Sequence, residues 1–176
     1  MLKRDFAGAE AALAASPLTE FSYLNGHQTP KDYFAGCAAL ARGDNAAAQA
    51  AFERARATFE GAVNEAPESA TRHANLGLLY AFMGRREAAI AEGQRAVELE
   101  PETKDAVDGT LMKSYLALIY ARVGERDKAL ALIERQLKTP GASDSVHYSV
   151  SVQDLRHRWE WDPIRDDPRF ERLLTR

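Results

Sequence analysis

Cysteine is nearly missing from this 176-residue chain. Cys37 stands alone, so no disulfide forms within the chain and a cysteine-based zinc site is excluded. Long apolar runs are missing too. None approaches the roughly 20 residues needed to cross a bilayer, and Asp5 and Glu10 interrupt the basic start at Lys3-Arg4, so no secretory signal is read. There is no concentrated charge of one sign. The net charge is −3, and the densest arginines (Arg156, Arg158, Arg165, Arg169, Arg172) alternate with Asp154, Glu160, Asp162, Asp166, Asp167 and Glu171. Nucleic-acid binding lacks its main electrostatic term. These absences suit a reducing cytosol, and the expected location is cytoplasmic, with no membrane and no nucleic-acid partner.

Catalytic signatures are equally scarce. His27, His73, His147 and His157 fall in no HxxxH or HExxH arrangement. Ser143, Ser145, Ser149 and Ser151 crowd one stretch without a Gly-x-Ser-x-Gly elbow, and no glycine-rich phosphate loop follows a strand. The pairs Glu98 with Glu100 and Asp166 with Asp167 lack an apolar pocket to split their pKa values, and both read as helix-end chemistry. Cys37 has no visible activating base and reads as a small core residue. No catalytic, cofactor-binding or metal-binding residue is assigned, no cofactor is expected, and the chain is read as a non-enzyme.

What the chain does have is alanine, few β-branched residues and a recurrent pattern, all of which favour helix. Residues 70–103 form the clearest unit. Small residues (Gly77, Ala89, Ala96) mark where two helices approach closely, and Leu76 and Tyr80 fill the space beside them. Gly84 supplies a turn tolerant of positive φ, and Pro101 stops the second helix. Two looser copies flank it. Aligning the three puts Gly43, Gly84 and Gly124 at one inter-helix turn, and Ala48, Ala89 and Ala129 at one tight contact of the following helix.

This pattern, at a spacing of about 34 residues, resembles the tetratricopeptide repeat family. The resemblance implies an all-α, right-handed solenoid of antiparallel helix pairs with a C-terminal helical cap, in a single domain over residues 1–176. A half-repeat covers residues 1–16, where Asp5, Ala9 and Leu13 correspond to Asp44, Ala48 and Phe52. Repeat 1 spans 29–66 with a long second helix that Pro67 ends; repeats 2 and 3 span 70–103 and 104–140; the cap spans 149–176. Because the half-repeat lacks its first helix, the chain is expected to be a fragment of a longer array. Departures from the family pattern are His73, Lys113 and Asp32 at the bulky early position of the first helices, Ala35 and Ala39 in repeat 1, and Gly93 in repeat 2.

Residues 17–28 read as a connector carrying Pro17, Asn25 and Gly26, with Phe21, Tyr23 and Leu24 expected to pack down. Thr29-Pro30 reads as an N-cap with proline at the first helical position, and so do Asp162-Pro163 and Asp167-Pro168. The C-terminal string from Trp159 to Leu174 resembles the end of tetratricopeptide regions in bacterial multidomain signalling proteins, where the repeats follow a kinase, nucleotide-cyclase or DNA-binding domain.

In the family, first helices line a concave groove. Carried over, this gives Tyr33, Cys37 and Leu40 with Ala41; Ala74, Leu78, Ala81 and Phe82; and Ser114, Leu118 and Arg122 with Ala121. The lysine–asparagine carboxylate clamp of one subgroup is missing: Tyr33, Cys37, Ala74, Leu78, Ser114 and Leu118 stand in its places. An apolar groove with Arg122 as its candidate cation suits an amphipathic helix or an extended apolar segment. Two occupants stay open, a partner or the chain's own C-terminal or connector segment. Trp159 and Trp161 have two readings, a partner anchor or a cover for the end of the last repeat, and the cover is preferred. The expected function is a protein–protein interaction scaffold, or an intramolecular regulatory module, whose partner is a protein, a peptide or another domain of the same protein. The alternative is a small-ligand sensor.

Overall fold

Side chains fix several of the helix starts. Asp5 accepts from the Gly8 amide at 2.8 Å, Asp44 from Ala47 at 3.0 Å, and Asp105 from Val107 and Asp108 at 2.8 and 2.9 Å. Ser151 accepts from Asp154 at 3.1 Å, and Asp167 from Arg169 at 2.9 Å with Pro168 at the first helical position. Each cap satisfies amides that the first turn leaves without an intrahelical partner.

The computed structural model describes residues 4–22, 28–138 and 150–175. Its elements are α1 (Phe6–Ala15), β1 (Glu20–Ser22), β2 (Gln28–Pro30), α2 (Lys31–Ala41), α3 (Asn45–Glu65), α4 (Ala70–Phe82), α5 (Arg86–Leu99), α6 (Ala106–Arg122), α7 (Arg126–Gln136), α8 (Val152–His157), a 3-10 helix (Trp159–Ile164) and α9 (Pro168–Leu174). The expectations for Tyr23, Leu24, Asn25, Gly26, His27, Pro140, Gly141, Ser143, Ser145, His147 and Ser149 lie outside the described residues.

The protein is all-α in character, built of repeated antiparallel helix pairs: α2 with α3, α4 with α5, and α6 with α7. Gly43, Gly84 and Gly124 link the members of each pair at φ of +84°, +73° and +84°, a conformation that side chains with a Cβ rarely adopt. Ala48, Ala89 and Ala129 are fully buried at the following contact. The pairs stack through α3 on α4 and α5 on α6, while α1 lies on α2. The second helix of the first pair is long, as Pro67 predicts, and ends at Glu65. At the C-terminal end a helical cap closes the array. Its Leu155, Ile164 and Phe170 are fully buried, and Arg169 on α9 reaches Asp127 on α7 at 2.7 Å.

Two local expectations are corrected. Residues 17–28 are not wholly irregular: β1 and β2 form an antiparallel hairpin with Phe21 opposite Thr29. That pairing draws Thr29 into a strand. Thr29 therefore does not cap α2; Pro30 stands at the N-cap without a side-chain bond, and the Lys31 amide instead donates to the Thr19 carbonyl at 2.8 Å. Asp162-Pro163 does not open a helix either. It lies within the 3-10 helix, where burial of Trp159, Trp161 and Ile164 pins the backbone. The Asp162 carboxylate accepts from Arg165 at 3.0 Å and pairs with Arg4.

Departures from the family pattern also find partners. His73 is buried, with Nδ1 at 2.5 Å from Glu92 and Nε2 at 2.8 Å from the Pro67 carbonyl, so both ring nitrogens face oxygen acceptors. Lys113 donates to Glu102 at 2.5 Å, joining α6 to the turn before it. Gly93 leaves space that Ile119 and Leu116 enter: a Cβ there would lie 2.8 and 3.0 Å from their methyl carbons.

Candidate functional site

Aromatic rings run in a row from α2 through α3 to α4. Tyr33 on α2 meets Phe59 at 5.3 Å and Phe52 at 6.2 Å between centroids, both on α3. Phe52 stacks on Phe82 of α4 at 5.8 Å with 16° between planes. Phe82 in turn stacks on Trp159 at 5.5 Å and 26°. This last contact joins the second helix pair to the 3-10 helix, so an aromatic from the C-terminal segment completes the row. Offset or tilted stacks of this kind add about 0.5–1.5 kcal/mol beyond the area they bury.

Arg122, at the end of α6, lies over both partners of that stack. Its guanidinium carbon is 5.3 Å from the Phe82 centroid and 5.1 Å from that of Trp159. A cation on two ring faces is held by their quadrupoles. Burial pulls the guanidinium below the usual arginine value, and the negative fields of Glu160 and Asp162 oppose that shift. Among the described residues Arg122 forms no hydrogen bond and no ion pair.

Glu160 is the site's unforeseen member. It is 8% exposed, and its Oε2 finds no hydrogen-bond partner among the described residues. Burial raises its carboxyl above the ordinary range, against the pull of Arg158 and Arg122. The indole Nε1 atoms of Trp159 and Trp161 are likewise buried and unpartnered among the described residues. Cys37 faces the same charges. Its thiol is pushed well above the usual value, first by burial and then by Glu160, while a hydrogen bond with Tyr33 opposes the shift. A thiol held protonated in this way is a poor nucleophile.

The groove residues named from the sequence fall into three groups. Tyr33, Cys37, Phe82 and Arg122 come together around Trp159 and Glu160. Ala74, Leu78, Ala81 and Leu118 are buried in the core, as is Ala121, and Leu40 and Ala41 are half-buried against it. Ser114 is elsewhere: its Oγ donates to the Thr110 carbonyl at 3.1 Å and accepts from Gln136 of α7 at 2.8 Å, which ties it to helix packing. Trp159 and Trp161 are buried in the C-terminal cap; the 3-10 helix that carries them packs on α6, and the Trp159 ring also reaches Phe82 of α4. Sequence reasoning missed Glu160. Its only signal is an acidic residue between two tryptophans, which by itself looks like a solvated charge.

A second concavity lies at the other end of the molecule. Ala9, Ala12, Leu13 and Ser16 of α1 and its C-terminal end, with Phe21, Ser22 and Phe34, line a cavity of about 490 Å³. Phe21 and Phe34 meet edge to face at 5.3 Å. No group of three or more His, Cys, Asp or Glu able to hold a metal occurs among the described residues, and no helix among them is long and apolar enough to cross a membrane.

A family model described as tetratricopeptide repeat matches residues 70–103, which are α4, α5 and the turn after them. No curated protein and no solved structure matches the chain. A tetratricopeptide-like repeat region thus covers part of the chain, and the packing of the remaining helix pairs follows the same plan.

Proposed function

We propose that this chain, residues 1–176 acting as one unit, is a cytoplasmic protein-interaction module without catalytic chemistry. Its first helices receive a helix or an extended apolar segment of a partner, or of another domain of the same protein in a bacterial signalling context. The observation that carries this reading is the stack of Trp159 on Phe82 under Arg122, since a segment distant in sequence already occupies the surface the first helices form. A surface that accepts one apolar segment in cis has the shape and chemistry to accept another. Of the surface expected from the sequence, Tyr33, Cys37, Phe82 and Arg122 are the candidate contact residues, with Leu40 half-buried at the edge; Ala74, Leu78, Ala81, Ser114 and Leu118 support them from the packed interior. Selection of a displayed peptide library on the full chain tests this. Enriched peptides should lose binding to a folded Phe82→Ala chain, and equal binding by both chains would refute it.

The cavity beside α1 favours a second reading, a sensor for a small uncharged apolar ligand, because its size lies within the range of ligand pockets and its walls are apolar. A neutral naphthylamine dye should brighten with the unaltered chain and not with Leu13→Trp, which fills the cavity. Equal brightening would discard the sensor.

A further inference from the structure

The 3-10 helix is an imperfect occupant of the surface it covers. Its Trp159 ring meets Phe82 face to face, and that contact is well made. Its polar atoms are not. The Nε1 atoms of Trp159 and Trp161 and the Oε2 atom of Glu160 are buried without hydrogen-bond partners among the described residues; in the rest of the described chain only the Gln136 Oε1 shares that condition. Each such group gives up its bonds to water without replacement, so this short segment carries a concentrated desolvation cost. Arg122 faces the segment from the other side: it is half-buried, lies over two ring faces, and among the described residues makes no hydrogen bond or ion pair. Glu160 is adjacent to Trp159 in sequence and contributes its field, but makes no ion pair with Arg122. Successive residues of a 3-10 helix point about a third of a turn apart. Glu160 therefore leaves the 3-10 helix on a different side from the Trp159 ring that lies against Arg122.

We propose that Phe82 and Arg122 form an aromatic-binding subsite, filled by Trp159 in the free chain, that takes a linear partner segment carrying an aromatic residue flanked by acidic side chains. The proposal rests on the reading of the first-helix surface as a partner site and names the partner's chemistry. Charge complementarity is the reason for the acidic flank. A flexible segment with the ring in the same slot brings a carboxylate onto Arg122 and forms the charge-assisted hydrogen bond that the resident segment lacks. Because the resident Trp159 must leave first, the apparent affinity of the free chain is reduced by the fraction of molecules in which the slot is open.

The test uses three labelled peptides on the full chain, read by fluorescence anisotropy: Gly-Glu-Trp-Glu-Gly, Gly-Gln-Trp-Gln-Gly and Gly-Glu-Ala-Glu-Gly. In the Trp159→Ala chain the first should bind at least ~10-fold more tightly than the second, and the third should not bind. The unaltered chain should bind the first at least ~10-fold more weakly than Trp159→Ala does. Adding Arg122→Gln should erase the preference for glutamate while leaving the preference for tryptophan. Equal binding of the first two peptides, or no binding of any to folded Trp159→Ala, overturns the proposal. If Trp159→Ala does not fold, hydrogen exchange on the unaltered chain decides. Millimolar first peptide should speed exchange of the amides at 159–164, and unchanged exchange overturns the proposal. Library peptides that need Phe82 but carry no aromatic–acidic pattern would defeat this inference and leave the interaction module standing.

Discussion

Two glycine-to-alanine changes in helix interiors should have opposite signs, and the reason is a single ring. Gly61 lies inside α3 with nothing within 4 Å of the position a Cβ would take. Gly36 lies inside α2, where a Cβ would stand 2.5 and 2.6 Å from the Cε1 and Cδ1 atoms of Phe52. Alanine gains about 0.8–1.0 kcal/mol over glycine in a helix interior at either place. At Gly61 nothing opposes the gain. At Gly36 the ring has nowhere to go: Phe52 is 0% exposed and stacked on Phe82. Overpacking of this kind costs about 1–3 kcal/mol, and a clash with ring carbons belongs at the upper end. The net loss for Gly36→Ala is therefore about 1–2 kcal/mol. For a chain of this size each kcal/mol moves Tm by about 2–4 °C, so calorimetry should show Gly61→Ala melting about 2–4 °C higher and Gly36→Ala about 2–8 °C lower. Combining Gly36→Ala with Phe52→Leu should cost less than the sum of the two single changes. Shifts of the same sign at both glycines would refute the reasoning that helix approach in the first pair is set by Phe52 against Gly36.

Glu160→Gln should raise stability at neutral pH and flatten the pH profile. Burial lifts the Glu160 carboxyl above its unfolded value of about 4.3, so its favourable contribution is complete below that pH and is lost as pH rises through the higher folded value. Urea titrations should find the variant more stable at pH 7 with the gap closing in acid; a gap constant from pH 4 to 8 would contradict the assignment. Glu102 has the opposite sign. The Lys113 hydrogen bond holds its carboxyl below the ordinary range, so its contribution is present above the unfolded value and fades as pH falls. Lys113→Met should lower stability at neutral pH by at most about 1 kcal/mol, less so in high salt, and not at all at strongly acid pH. His73→Phe keeps a ring in the slot but leaves the Pro67 carbonyl and Glu92 without their partner, and should cost about 1–3 kcal/mol in urea unfolding.

The helix pairs were legible because their signals are local. Gly43, Gly84 and Gly124 need positive φ, Asp44 needs an amide three residues on, and Pro67 lacks an amide to continue α3. The hairpin was not legible. Glu20-Phe21-Ser22 and Gln28-Thr29-Pro30 are three-residue strands without the apolar alternation that identifies longer ones. Asp162-Pro163 misled for a related reason: the pair is compatible with a helix start, and only the burial of Trp159, Trp161 and Ile164 decides otherwise. For the surface, the sequence identified Phe82 and Arg122 but left its occupant open between a partner and the chain itself. The deciding contact joins residues 82 and 159, and no periodicity reports a pairing so distant in sequence. Glu160 was overlooked because a carboxylate next to arginines is ordinarily a solvated surface group.

The contact that joins the C-terminal segment to the helix pairs is the Trp159 ring on Phe82. A double-mutant cycle measures that contact most directly: Phe82→Leu, Trp159→Leu and the pair, each unfolded in urea. Stacking with the shared Arg122 cation predicts a coupling of about 0.5–1.5 kcal/mol between the two positions. Additivity of the two changes within about 0.3 kcal/mol would contradict it.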